Sequence, residues 1–299
     1  MVFKRQHKER LLESTLFIVS SITIIILFLI CLFLFRDALI LFRTESLIDF
    51  ISGSFWYPTS EPPLYGLLPL LLGSLVVTFG AICISVPLGI TSAIYISEIA
   101  NPKIADFLKP FVEILAGIPS VVYGFFGLVV LAPYIQNLLD LPTGQVALTG
   151  SIMLAIMALP TIISISEDAI SSIPSSMREG SLAMGATRWQ TIYKVVLPAA
   201  LSGISAAVML GMGRAIGETM TVMMVTGNAA VIPGMPEGIV ESVRTMTATI
   251  ALEMGEVPMG SEHYHALFAV GSVLFIMTFL INLIADLIKN KYRFKLEGS

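Results

Sequence analysis

Between Ser14 and Phe35 the chain runs 22 residues without a charged side chain. Charge-free stretches recur: 19 such residues precede Arg214 and 18 follow Glu218. A bilayer core takes about 20 apolar residues of helix, so runs of this length restrict the fold more than any motif does. Composition agrees, with 56% hydrophobic and 13% charged residues, against about 25% charged in soluble domains. The chain is expected to be an all-α polytopic membrane protein, a single transmembrane domain over 1–299. Six spans are expected, near 12–35, 67–97, 107–133, 146–168, 198–226 and 266–288. Pro69, Pro87, Pro119 and Pro133 fall in the second and third, where kinks, tilt or lateral segments are expected. A secretory signal would carry a shorter apolar core and a small-residue cleavage site. The first run instead ends in LFLFRD, so it is expected to stay as a spanning helix.

Lysine and arginine placement orients the spans. With the N-terminus inside, the inner segments hold four cations at the start (Lys4, Arg5, Lys8, Arg10), then Lys103 and Lys109, then Arg178, Arg188 and Lys194. The tail adds Lys289, Lys291, Arg293 and Lys295. These sum to 13 of the 17 cations, while Arg36, Arg43 and Arg244 lie outside and Arg214 lies within the membrane. Both termini are therefore expected in the cytoplasm, and the chain in the cytoplasmic membrane.

Two outer loops are long. Residues 36–66 contain FWYPTSEPPLYG, a composition suited to the membrane interface. In 227–265, Ile239, Val240, Val243, Met246 and Ile250 fall at helical spacing; a short amphipathic helix on the outer face and a solvated connector both fit. Cys31 and Cys83 lie in apolar runs and are expected as buried thiols, with no disulfide or metal framework. No G-x-x-x-x-G-K-[ST] occurs, so a phosphate-binding P-loop is lacking. His263 and His265 flank Tyr264 in a loop; solvated histidines are expected there rather than metal ligands. No nucleophile–base arrangement stands out, and the chain is expected not to be an enzyme.

The inner loop 170–197 reads as two short helices joined at a glycine, Ser175 to Ala183 and Thr187 to Val196. Ser175 or Ser176 is expected to cap the first, Gly185 to end it in a left-handed turn, and Thr187 to cap the second. Glu179, six residues before Gly185 and followed after nine more by Val195-Val-Leu197-Pro198, resembles the coupling-loop motif of ABC importer permeases. Glu179, Gly185, Leu197 and Pro198 keep the family spacing; Gly180, Ser181 and Val195 depart from it conservatively. The resemblance implies the type I importer permease fold. It also implies a cytoplasmic ATPase dimer docking on this loop, with ATP and magnesium bound by the ATPase and no cofactor in this chain.

On a continuous helix Arg214 and Glu218 are one turn apart and share a face, which Thr221 continues, so Arg214, Glu218 and Thr221 are expected to present a cation, an anion and a hydroxyl to the interior as candidate substrate-path residues. Gly203, Ala207, Gly211 and Ala215 form a neighbouring stripe, expected to pack against another helix. A lone arginine at the bilayer centre costs about 2.5–3.5 kcal/mol on insertion scales, and arginine before glutamate is the weaker i,i+4 order. Two uses fit: a structural salt bridge, or a polar station on a path for an oxyanion, which a guanidinium suits. Phe55–Leu75, Leu115–Leu128, Gly211–Asn228 (GMGRAIGETMTVMMVTGN) and IALEMGEVPMGSEHYHALF are similar to the PstC-type permease of high-affinity phosphate importers, over most of residues 50–285. That resemblance implies a heterodimer with a second homologous permease, an extracytoplasmic phosphate-binding protein, and a substrate-path role for Arg214 and Glu218. The same architecture importing sulfate, molybdate or tungstate stays open. So do a self-sufficient carrier or channel and a sensor or scaffold in which the charged pair is structural.

Overall fold

The computed structural model describes residues 2–234 and 237–297, with side chains described over 12–234, 237–284 and at 286 and 287. The terminal cations Lys4, Arg5, Lys8, Arg10, Lys289, Lys291, Arg293 and Lys295 therefore lie outside the described side chains. Among the described residues six helical stretches are long and apolar enough to cross a membrane: Leu12–Leu41, Leu68–Ile99, Ser120–Leu139, Ala147–Ser171, Arg188–Gly217 and Glu262–Ile284.

The first belongs to α1 (Val2–Leu41) and is followed by a short α2 (Leu47–Ser52). A two-residue hairpin comes next, β1 (Trp56–Tyr57) antiparallel to β2 (Leu64–Tyr65). Helix α3 (Leu68–Ile94) closes with a π-turn at Tyr95–Ile99. Then follow α4 (Pro102–Gly117), α5 (Ser120–Phe126), a π-turn and α6 (Ala132–Leu139). The expected third span at 107–133 is corrected. Pro119 disfavours helical backbone at the residue before it, and Ile118 is extended at φ −69°, ψ 129°. The helix therefore breaks there, and the span is shifted to Ser120–Leu139.

Helix α7 (Ala147–Ser171) is the hub, packed chiefly against α3 and α10. In its most apolar stretch 56% of residues are buried, against none in that of α1, which packs along α13 and is otherwise largely exposed. Beyond α7 come α8 (Ser175–Ala183), α9 (Arg188–Thr191), a π-turn at Ile192–Val196 and α10 (Leu197–Gly217). The chain then forms α11 (Met220–Val225), a 3-10 turn (Glu237–Val240), α12 (Met246–Glu253) and α13 (Glu262–Glu297). Proline has no N–H and clashes with the preceding turn of an α-helix. Two of the π-turns run directly into a helix with proline at its start, at Pro133 and Pro198, so the wider turn carries the helix past the proline without a break.

Three apolar clusters hold the bundle. The central one joins α3, α7, α11 and α12 through Val77, Leu154, Val225 and Ala248. At one end, the loop end, Leu41, Phe50, Trp56, Leu67, Met246 and Leu267 pack together. At the other, the knob end, Ala93, Ile170, Val196, Ala200 and Ile204 do so. The small-residue stripe packs as expected: a Cβ on Gly203 would meet Ala169, one on Gly211 would meet Ile162, and Ala207 is fully buried.

Two loop expectations are corrected. Segment 239–250 is neither a surface helix nor a solvated connector. Val243 and Met246 are fully buried, and the Met246 N–H donates to Ser74 Oγ, so this segment inserts among the spans. Cys31 is half-buried and Cys83 is exposed on α3, rather than both being buried; both are free thiols.

Candidate functional site: two broken helices meeting at an arginine

Helix α10 stops at Gly217, and Glu218 is extended at φ −69°, ψ 132°. The expected continuous span over 198–226 is thus corrected, and with it the shared helical face of Arg214, Glu218 and Thr221. Among the described residues Arg214 makes no ion pair with Glu218. Instead, each charge occupies the helix end that suits its sign. Arg214 lies in the last turn of α10, where unpaired carbonyls favour a cation. Glu218 stands before α11, where its Oε1 accepts the Thr221 N–H at 3.2 Å. Dipole placement therefore replaces the i,i+4 pair as the term that offsets burial of these charges.

The depth of the site follows from α7. Arg214 donates a long hydrogen bond, 3.4 Å, to Thr161 Oγ1. Thr161 stands roughly 21 Å along the helix from Ala147 and roughly 15 Å from Ser171 at 1.5 Å per residue. The arginine is in the middle third of the bundle.

The α4–α5 break reaches the same level. Thr221 is fully buried, and its hydroxyl donates to the Ser120 carbonyl at 3.0 Å, with Met157 Sδ 3.1 Å away. Tyr123 donates to the Leu115 carbonyl at 2.8 Å, across the Ile118–Pro119 break. Thr247 of α12 donates to the Glu218 carbonyl at 2.9 Å. Non-helical backbone survives at membrane depth only where its polar groups are satisfied or line a cavity, and these three hydroxyls supply the donors. Thr221 is therefore a tie between two breaks; its hydroxyl is not turned toward open space. Arg214 and Glu218 are only half-buried, and a Cβ on the adjoining Gly213 or Gly217 would meet nothing. One wall of the arginine site is open.

The knob forms where the coupling loop was expected. Gly185 adopts φ +86°, which a side chain would strain, and Thr187 caps α9 in a reciprocal box with Gln190. Ser175 and Ser176 do not cap α8; Pro174 occupies that position and no side chain caps the helix. Glu179 is exposed and makes no ion pair among the described residues. Met184 is 88% exposed and Trp189 64%, so the knob tip presents apolar surface. Leu197 and Pro198 are half-buried where the helix turns into α10. From Arg188 to Gly217 the backbone is one stretch of 30 residues, about 45 Å at 1.5 Å per residue, so the knob and Arg214 lie on one rod.

At the loop end a cavity of about 480 Å³ is lined by Trp56, Arg244, Glu253 and His263, among others. Glu253 accepts from Arg244 at 2.7 Å and from Trp56 Nε1 at 3.1 Å, and pairs with His263 at 2.8 Å. His265 faces Asp37 at 3.6 Å. His263 is thus paired with Glu253, while His265 Nδ1 is buried near Asp37 without a hydrogen bond; contrary to expectation neither histidine is solvated, and no metal-binding cluster occurs among the described residues.

Thr161, Tyr123 and Thr247 were not legible as site residues. Thr161 is 53 positions from Arg214 and Ser120 is 101 from Thr221, and no local pattern links them.

The family model for the inner membrane component of binding-protein-dependent transport systems matches residues 85–294. The probable ABC transporter permease YqgH of Bacillus subtilis is 48% identical over 237 residues, 79% of this chain and 76% of its own. The phosphate transport system permease protein PstC of Mesorhizobium japonicum is 37% identical over 256 residues, again 79% and 76%. Among solved structures, an alginate ABC transporter with its pentasaccharide-bound periplasmic protein aligns at TM-score 0.62 and 16% identity, over 92% of this chain and 94% of that one. The inward-facing MetNI methionine transporter aligns at TM-score 0.56 and 23% identity, over 76% and 94%. With 210 of its 299 residues inside the family model and relatives above 30% identity over most of its length, the chain belongs to the ABC-importer inner-membrane permeases, the binding-protein-dependent transport family.

Proposed function

We propose that this permease carries inorganic phosphate across the cytoplasmic membrane, as one half of a heterodimer with a second homologous permease. The observation that carries the reading is Arg214: a half-buried guanidinium at mid-depth, with no carboxylate partner among the described residues, beside an open wall between two broken helices. Discontinuous helices at the midplane are where transporters hold substrate. A planar guanidinium suits an oxyanion, and several curated relatives at 31–37% identity are phosphate permeases by name. Glu218, one step beyond the break, keeps negative charge near the arginine and so limits how tightly an anion is held. The second permease would close the open wall.

The knob end then faces the cytoplasm, in line with Lys103, Lys109, Arg178, Arg188 and Lys194 there and with both termini inside. An ATPase dimer docks on the apolar tip around Met184 and Trp189, with Glu179 exposed beside it. The loop end receives phosphate from an extracytoplasmic binding protein. ATP closes the dimer, the knob is displaced, and the 30-residue rod carries that displacement to Arg214.

Arg214→Gln tests the reading. The variant is expected to assemble with its partners and to lose radiolabelled phosphate uptake. Uptake at the normal rate removes the path role, and failure to assemble favours a structural one. Competition by sulfate against labelled phosphate in the unsubstituted complex separates phosphate from other oxyanions: excess sulfate leaves uptake intact if phosphate is the cargo.

A further inference from the structure

The knob is fastened to more than α10. Arg178, on α8, turns its guanidinium back toward the membrane. Its Nε and Nη2 both donate to Glu98 Oε1, at 3.0 and 2.7 Å. Nη2 also donates to the Ile170 carbonyl at 2.8 Å, and Nη1 donates to the Ile173 carbonyl. Glu98 belongs to the π-turn that ends α3, and its side chain is only 11% exposed. Ile170 is in the last turn of α7, where a cation is favoured by the helix dipole. One side chain thus joins the knob to the ends of two core helices, with every guanidinium nitrogen engaged.

From there a polar chain continues sideways. Ser97, next to Glu98, is 3.1 Å from Ser171 across the hydroxyls. Ser171 donates to Glu167 Oε1 at 2.6 Å, and Lys109 of α4 pairs with the same oxygen at 3.1 Å. The Glu167 side chain is 7% exposed. Helix α4 runs on to Leu115, whose carbonyl is held by Tyr123 beside the Ile118–Pro119 break. The chain of contacts leads from the knob to the second of the two broken helices, independently of the α9–α10 rod.

We propose that Arg178 is a positioning residue of the transport cycle, locking the knob to Glu98 and to the end of α7 so that displacement of the knob reaches α4 and the Ile118–Pro119 break as well as Arg214. This rests on the reading that an ATPase docks on the knob. Both breaks are then driven together, which a rod through α10 alone does not do. A merely local role, holding α8 folded, needs neither Glu98 nor the Ser171–Glu167–Lys109 chain.

The test uses the complete complex in liposomes: this chain, its second permease, the ATPase and the binding protein. Phosphate taken up per ATP hydrolysed is measured, together with the stimulation of hydrolysis by the loaded binding protein. Arg178→Glu is expected to lower the uptake ratio about tenfold, within the range of allosteric couplings, and to blunt the stimulation, while the ATPase still co-purifies and hydrolyses ATP. Adding Glu98→Arg to that chain is expected to recover both readouts. Glu98→Gln keeps the shape and removes the charge; it is expected to lower the ratio too, and it decides the matter if Arg178→Glu does not assemble. A wild-type ratio in Glu98→Gln overturns the proposal, as does loss of the co-purifying ATPase from an Arg178→Glu chain that still folds and pairs with the second permease, which places Arg178 in the docking surface. Failure of the underlying readings shows in the unsubstituted complex. Absent phosphate uptake with intact stimulation refutes the cargo alone, and stimulation then scores the variants. An absent ATPase refutes the docking and the proposal with it.

Discussion

At the residue scale, the hydroxyls around the two breaks matter as much as the charges. Thr221 is fully buried and bridges α11 to the start of α5. Thr221→Val keeps the shape and removes the bond, and is expected to cost about 1 kcal/mol, the usual net worth of a hydrogen bond. Thermal unfolding of the purified complex checks this; an unchanged midpoint would show that the tie carries nothing. Tyr65 at the loop end titrates late: burial pushes its phenol up to about 12, with the Glu262 and Glu45 carboxylates adding to the effect. The folded chain thus holds that proton more tightly than the unfolded one, whose value is 10.0. Tyr65 leaves stability unchanged below that pH and lowers it as pH rises from there toward about 12. Tyr65→Phe is expected to flatten this alkaline loss in a pH series of unfolding midpoints, and superimposable curves for the two proteins would refute the assignment. Arg214 and Glu218 were legible in the sequence because charges inside apolar runs are conspicuous. Their arrangement was not, because the backbone turn at Glu218 depends on Thr247 and on the short helix that follows.

At the element scale, features set by local spacing were legible. The knob helix Ser175–Ala183, the left-handed Gly185, the Thr187 cap and the packing stripe from Gly203 to Ala215 each follow from residues within one or two turns. The Ile118 break had a local signal too, in Pro119, yet apolar residues continue through it and hydropathy alone reads one span. The insertion of 243–250 among the spans had none, since its partners Ser74 and Glu218 are remote in the chain. Gly211→Leu is expected to drive a side chain into Ile162 and to destabilise the α7–α10 contact by about 1–3 kcal/mol, read as a lowered yield of folded complex. A wild-type yield and midpoint would show that the stripe is loosely packed. The π-turn at Ile192–Val196 is the one irregular turn in the rod. Two glycines inserted after Thr191 are expected to leave the ATPase docked and hydrolysing while phosphate uptake falls at least tenfold, a loss equivalent to about 1.4 kcal/mol or more of coupling. Uptake that survives the insertion would show that the rod need not be stiff.

At the scale of the whole molecule, the proposed reading makes a transmitter of an exposed apolar knob, a rod of 30 residues, and an arginine at mid-depth beside an open wall. On the proposed reading, a docked ATPase supplies the work at the knob and a second permease closes the open side of the arginine site. The most direct test is phosphate uptake into vesicles holding this chain with its second permease, with and without the ATPase and ATP. Uptake only when the ATPase, ATP and an intact Arg214 are all present is the predicted result. Sustained uptake by the permeases alone, with no ATPase in the vesicle, would contradict the account.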